Sequence, residues 1–425
     1  MAGSARAGPG RREANRHAAT RPEPTGDRRP VSEAPQQPQP DDADADAQDE
    51  TAAGPGAEAG AEGEKRVTNA ELFFDLVFVL CVTQVSTMLH AQHGWAGAGR
   101  ALVVFVPIYW AWVGTSVQAS THDVDNTLDR LVIFAIGLGG LFMALAVPQA
   151  YGSRGLLFGA AYLAVRLVLA ARVASLGGVL IGPFGVGAVI TGPLLLLGGL
   201  LHGDARTAAW ALAATADLAT PALARRRLTG IRFHPGHLPE RFSLFVLIAL
   251  GETIVSVGAP VASIEHLTAP ELVAVAVSFG LIAALWWVYF AYATDAIRHA
   301  LTTTAIRVDL VRQVLSYAHL VLIGSIIAIA VGLTESVEHP GVRLSTGGGA
   351  LLIGGCALYL ATFGYTRWRM FRLLSTTRLV AAGLCLLLSP AVHELPALGT
   401  LSLLTSVLVG LNIWEPLRIR RQGML

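Results

Sequence analysis

LVIFAIGLGGLFMALAVPQA, residues 131–150, contains no charged side chain. Coiled into an α-helix at 1.5 Å per residue, such a stretch extends about 30 Å, the thickness of a bilayer's hydrocarbon core. It has no polar face to turn toward water, so it predicts a membrane span. Working outward, comparable blocks occupy 72–90, 101–118, 156–175, 179–201 and 207–224, then 242–259, 271–293, 310–333, 348–366, 379–392 and 397–414. The expected fold is all-α, a polytopic membrane helix bundle of about twelve transmembrane helices. The eleventh block is the shortest. Composition agrees: 53% of the 425 residues are hydrophobic and 14% charged, and the mean hydropathy of +0.54 exceeds what a water-soluble domain carries.

Residues 1–64 are of another kind, rich in Ala, Pro, Gly, Asp, Glu and Arg with almost no aliphatic bulk. They cannot bury enough apolar area to offset chain entropy and are expected to form a disordered cytoplasmic tail. The tail lacks the apolar core of a secretory signal, so the first span is expected to act as the insertion signal. Orientation follows from the basic residues. With the N-terminus inside, cytoplasmic segments collect Lys65, Arg66, Arg225 to Arg227, Arg232, Arg298, Arg307, Arg367, Arg369, Arg372, Arg418, Arg420 and Arg421, against Arg100, Arg154, Arg206 and Arg343 on the other side. N and C termini are both expected to be cytoplasmic. A formal net charge of +1 offers no field to recruit nucleic acid. Cys81, Cys356 and Cys385 lie inside apolar blocks without CxxC spacing, so neither a disulfide framework nor a zinc site is expected. No cofactor is suggested.

An internal repeat is visible. LLFG at 156–159 matches LLIG at 351–354, and the same offset sets Asp217 opposite Asn412 and Pro221 opposite Pro416, each before an arginine cluster. ELFFDLVFV from Glu71 and ERFSLFVLI from Glu240 share Glu, Phe and Val at matching places. Two parallel six-helix halves are expected, 65–227 and 228–425, the second ending in a short basic tail.

Ionisable groups within hydrocarbon are costly, which makes each a candidate. Glu252 lies well inside the seventh block beside Thr253 and is read as a protonatable or cation-binding carboxylate. The alternative is a carboxyl neutralised by an arginine or held protonated. Glu71 and Asp75 share one helix face; the helix dipole accounts for Glu71, while Asp75 invites a functional or pairing role. Arg166 needs a carboxylate, carbonyl cluster or water beside it, with Asp75, Asp217 and Glu252 as available partners. Asp217 could instead satisfy backbone freed by Pro221. His319 suits a proton relay or an interhelical hydrogen bond. His122, Asp123 and Asp125, followed by Asp129, loosely resemble a divalent-metal site, though loop carboxylates more often cap helices. Trp286, Trp287, Tyr289, Phe290 and Tyr292 are expected to anchor the eighth span at the headgroup zone.

Five segments together resemble the bacterial low temperature requirement protein A family: ELFFDLVFVLCVTQVS at 71–86, THDVD at 121–125, AYLAVRLVL at 161–169, ERFSLFVLIALGETIVSV at 240–257 and LWWVYFAYATD at 285–295. The resemblance covers roughly 66–420 and implies a multi-pass protein of the bacterial cell membrane with no established activity. The polar residues point to a secondary transporter or ion pathway for a small solute or ion, with Asp75, Arg166, Asp217, Glu252 and His319 along the path. An intramembrane enzyme acting on lipid and a non-catalytic scaffold or stress sensor are the alternatives. Membrane lipid is the expected partner, with homo-oligomerisation open.

Overall fold

A computed structural model describes residues 67–92, 94–121, 126–177, 182–228, 236–291, 293–303 and 307–421. The tail read as disordered, and the His122, Asp123 and Asp125 cluster, lie outside the described residues. All regular structure within them is helical.

Twelve helical regions among the described residues follow the twelve sequence blocks. They are α1 (Asn69–Ala91), α2 (Trp95–Thr121), α3 (Thr127–Gln149, ending in a 3₁₀ turn), α4 (Gly155–Ser175), α5 (Pro183–Leu200) and α6 (Gly203–Leu223). The second set comprises α7 (His237–Ala262), α8 (Ala269–Phe290), α9 (Val308–Glu338), α10 (Thr346–Phe371), α11 (Thr376–Leu387) and α12 (Ala397–Arg421). Eleven of these regions are long and apolar enough to cross a membrane; α6, with Asp204, Arg206 and Asp217 among alanines and threonines, is the twelfth. Block eleven was short because its helix breaks after Leu387 and resumes for one turn at Ala391–Glu394. A shorter helix, Ala293–Thr303, follows α8 and buries Ala293, Ile297, Ala300 and Leu301.

Starts are written locally. Thr68 and Thr268 head reciprocal capping boxes with Glu71 and Glu271, and the Asn126 and Ser345 side chains accept from the amides of Asp129 and Gly348. Asp129, the last acid of the proposed metal cluster, instead belongs to this cap and to an ion pair with Arg172 at 2.6 Å.

The exterior is apolar and the interior holds the charges. Phe73, Leu76, Leu138, Val189, Leu197 and Leu387 are exposed, whereas Glu71, Asp75, Arg166, Asp217 and Arg241 are buried. That inversion belongs to a protein whose solvent is lipid. Short connections make consecutive helices antiparallel. α1 packs on α2 and α3, α3 on α4, α4 on α5, α5 on α6, and α6 returns to α2. The same series recurs as α7 on α8 and α9, α9 on α10, α10 on α11, α11 on α12, and α12 returning to α8. α1 meets both α7 and α9, so the first helix touches both sets.

At the end where α6 begins, Arg206 takes no carboxylate among the described residues. Its guanidinium donates to the carbonyls of Ala150 (2.8 Å), Gly152 (2.7 Å), Gly199 (3.2 Å) and Leu201 (2.8 Å). These oxygens belong to the ends of α3 and α5, where helix dipoles favour a cation. Arg206→Met is expected to lower unfolding stability in detergent by roughly 2 kcal/mol, since several charge-assisted bonds go and the carbonyls lose their donor. A denaturation midpoint matching the parent's would refute that role.

The aromatic run divides. Trp286 and Trp287 are exposed, as an interfacial anchor requires, but Tyr289 is buried and bonded inside the bundle. Tyr292 lies outside the described residues.

Candidate functional site

The capping box that opens α1 also aims Glu71. The Thr68 amide and hydroxyl donate to Glu71 Oε2 at 2.9 and 3.0 Å, holding the carboxylate at the helix start with Oε1 turned to the interior. Asp75, one turn on, shares that face. Opposite them, α7 begins with His237 and Arg241, also one turn apart. Arg241 spans both acids, with Nη1 2.9 Å from Glu71 Oε1 and Nη2 2.5 Å from Asp75 Oδ1. His237 Nε2 lies 3.2 Å from Glu71 Oε1. From α2, the Trp112 indole donates to Asp75 Oδ1 at 2.7 Å. All four ionisable side chains are fully buried.

Aromatic rings wall this network. Trp112 stacks on Phe245 at 4.2 Å between centroids and meets Phe242 edge-on at 4.9 Å, while the Arg241 guanidinium lies over the rings of Phe74 and Trp112. His237, Arg241, Phe242 and Phe245 thus form one stripe on α7. Three polar atoms remain without a hydrogen-bond partner: Asp75 Oδ2, His237 Nδ1 and Arg241 Nε. With His237 neutral, two carboxylates face one guanidinium, a net charge of −1. One further proton makes the buried cluster neutral. When His237 Nε2–H donates to Glu71, its bare Nδ1 is an available proton acceptor.

A second ionic cluster links α4, α5 and α6. Arg166 Nη2 lies 3.5 Å from Asp217 Oδ1 and donates to the Pro183 carbonyl at 2.9 Å. Thr191 donates to Asp217 Oδ1 at 3.0 Å, and the Tyr162 hydroxyl donates to Oδ2. Asp217 is therefore the partner of Arg166 among the three acids considered from sequence. Its side chain is engaged by Arg166, Tyr162 and Thr191 rather than by backbone near Pro221. There the Leu218 carbonyl accepts from the Tyr317 hydroxyl at 2.6 Å. Residues 187–191 form a π-helical turn in α5, a distortion common at functional sites. Glycine at 187 is required by close approach: a Cβ there would fall 2.0 Å from Arg166 Nε. Beside Arg166 is a cavity of about 80 Å³, enough for a few waters or a small solute, lined by Trp110, Gly114, Phe184, Pro221, Val311 and Ser316 among others.

His319 joins a third group. Its Nδ1 lies 2.9 Å from the Val314 carbonyl, which the π-helical turn Val311–Tyr317 presents to it, and its Nε2 is 2.8 Å from the Tyr289 hydroxyl. Both nitrogens are occupied, fixing the Nδ1–H tautomer with Tyr289 as donor to Nε2. The Phe242 ring lies edge-on to His319 and to Trp112, wedged between this pair and the first cluster.

The five residues singled out from sequence are thus distributed among separate positions. Asp75 joins the α1–α7 network, Arg166 and Asp217 pair with each other, and His319 pairs with Tyr289. Glu252 is half-buried on α7 and makes no ion pair or hydrogen bond among the described residues. It lies eleven residues beyond Arg241, about 16 Å further along the helix. Glu71, His237, Arg241 and Trp112 were not singled out as one constellation. The available signal was Arg241 itself, a lone arginine at the start of an apolar block, which requires acids nearby. Among the described residues, no group of three or more His, Cys, Asp or Glu could hold a metal ion.

An apolar exterior, eleven regions long and apolar enough to cross a membrane among the described residues, and buried ionic clusters define a polytopic integral membrane protein. Residues 66–413 match the family model described as Bacterial low temperature requirement A protein. The chain belongs to that family. It is also 32% identical over 308 residues to an uncharacterized protein of Rhizobium meliloti (strain 1021), covering 68% of this chain and 74% of that protein.

Proposed function

We propose that the protein is a proton-linked secondary transporter. Its proton site is the Glu71, Asp75, His237 and Arg241 network, and a small solute binds in the cavity beside Arg166. The observation that carries this reading is the fully buried network in which Arg241 spans Glu71 and Asp75 beside His237, built from the first helices of the two sets. A proton taken up by His237 sets two cations on α7 against the two carboxylates on α1 and tightens the α1–α7 contact, and its loss loosens that contact. A contact whose strength changes with proton binding can bias alternating access between two six-helix halves.

The cavity supports the solute part. Its lining is mostly apolar, with Arg166, Arg312 and Ser316 as polar handles, which favours a small solute bearing one polar or anionic group. α2 connects the two places: Trp112 donates to Asp75, while Trp110 lines the cavity and stacks on Tyr317 at 5.6 Å. Glu252 and His319 stay outside the proposed proton step, Glu252 because it lies a long way along α7 and His319 because both its nitrogens are engaged.

The test is solute-driven proton movement in proteoliposomes containing a pH-sensitive dye, with small organic acids, amines and neutral solutes added in turn. Asp75→Asn and His237→Gln are expected to reduce coupled proton movement at least tenfold, whereas Glu252→Gln leaves it near the parent rate. Coupled movement that persists in both network variants, or that vanishes in Glu252→Gln alone, would overturn the assignment.

A further inference from the structure

A third ionic region lies apart from the proposed proton and solute sites, between the end of α10, the start of α11 and the end of α12. A cavity of about 530 Å³ opens there, lined by Arg367, Arg378 and Arg418 and by the hydroxyls of Thr376 and Thr377. Glu415 is the acid in its wall, and it is taken by Arg378 at 3.0 Å and by the Thr377 hydroxyl at 2.9 Å. Arg367 and Arg418 are exposed and have no carboxylate partner among the described residues. Three guanidiniums against one carboxylate leave the described lining with a charge of +2.

The start of α11 adds to the field. Ser375 makes no side-chain capping bond, and the first intrahelical bond runs from the Leu379 amide to the Ser375 carbonyl. The amides of Thr376, Thr377 and Arg378 precede it, with the positive end of the helix dipole behind them.

The polar cavity does not stop at the protein surface. A second opening of about 490 Å³ shares Thr376, Thr377 and Arg418 with it and continues between α11 and α12 past Val380, Leu384, Val407 and Trp414. Its floor is open at Gly410, where a Cβ would meet nothing within 4 Å. From Thr376 to Leu384 the groove descends about 12 Å, most of the roughly 15 Å depth of one hydrocarbon leaflet. Val380, Leu384 and Trp414 are exposed on its walls.

We infer that this cleft is a binding site for an anionic phospholipid, with the phosphate between Arg367, Arg378 and Arg418 and one acyl chain in the groove between α11 and α12. A free anion would use the arginines and leave the groove empty. A zwitterionic lipid would fill the groove and leave the positive charge unmatched. An anionic phospholipid matches both features.

The full chain, purified in detergent, would be titrated with phosphatidylglycerol, phosphatidylcholine and glycerol phosphate, with occupancy read by native mass spectrometry. Phosphatidylglycerol should bind most tightly. Arg367→Ala and Arg418→Ala, both at exposed unpaired positions, should each weaken it about fivefold. Gly410→Leu, which fills the groove without touching the arginines, should weaken phosphatidylglycerol while leaving any glycerol phosphate binding unchanged. Equal affinity for phosphatidylcholine would overturn the charge assignment. Glycerol phosphate binding as tightly as the lipid, or indifference of the lipid to Gly410→Leu, would overturn the acyl-chain assignment. These outcomes are independent of whether proton-linked transport is found.

Discussion

Replacing Arg241 with methionine is expected to destabilise the protein by about 3 to 5 kcal/mol, because Glu71 and Asp75 would be left buried with no guanidinium between them. Methionine keeps most of the side-chain length, so the loss reports charge more than volume. Arg241→Lys should fall between, since a single ammonium cannot match the two-pronged contact to acids on successive helical turns. Adding Glu71→Gln and Asp75→Asn to Arg241→Met removes every formal charge but that of a protonated His237, and should restore most of the stability. Denaturant titration of the four proteins in detergent separates these cases. If the single methionine variant unfolds with the parent, the α1–α7 contact does not depend on this network.

Asp217→Ala should be nearly as damaging, for the converse reason. Arg166 stays charged under all ordinary conditions, and without Asp217 its remaining acceptors are the Pro183 carbonyl and, at 3.5 Å, that of Trp110. Tyr162 and Thr191 would lose their carboxylate acceptor as well. Asp217→Asn retains an oxygen for one of these hydroxyls and should cost less. In a double-mutant cycle with Arg166→Met, Asp217→Asn should show a coupling on the order of 2 kcal/mol. Additivity of the two substitutions within about 0.5 kcal/mol would mean the pair contributes nothing beyond its separate hydrogen bonds.

The helices were legible because their signal is one-dimensional. A span of 131–150 requires only that side chains be apolar for long enough, and the twelve blocks correspond one to one with α1–α12. Even α6, whose Asp217 and Arg206 dilute its apolar character, was marked by its neighbours and by the matching block near Asn412. The site was less legible because partnership is three-dimensional. Glu71 was read as a carboxylate stabilised by the helix dipole; it sits in the capping box that opens α1, and the same carboxylate also faces Arg241 and His237 from the far side of the chain. Nothing in spacing links residue 71 to residue 241. Glu252 drew attention through its position within a block, yet the acids that gather partners, Glu71, Asp75 and Asp217, are those that face an arginine on another helix. Arg166 was taken as needing a carboxylate, carbonyls or water beside it, with Asp217 one of three available acids; which acid met it depended on helix rotation and on the π-helical turn at 187–191. Apolar periodicity does not encode that turn.

The separation of Glu71 and Arg241 along the chain, 170 residues, also matters on the ribosome. At roughly 5 to 20 residues per second, Arg241 is made about 10 to 30 seconds after Glu71. For that interval both acids of the emerging first helix lack their counter-ion, while Asp217 of α6 finds Arg166 on a helix already synthesised. Final seating of the first helix in lipid therefore has to wait for the late half of translation.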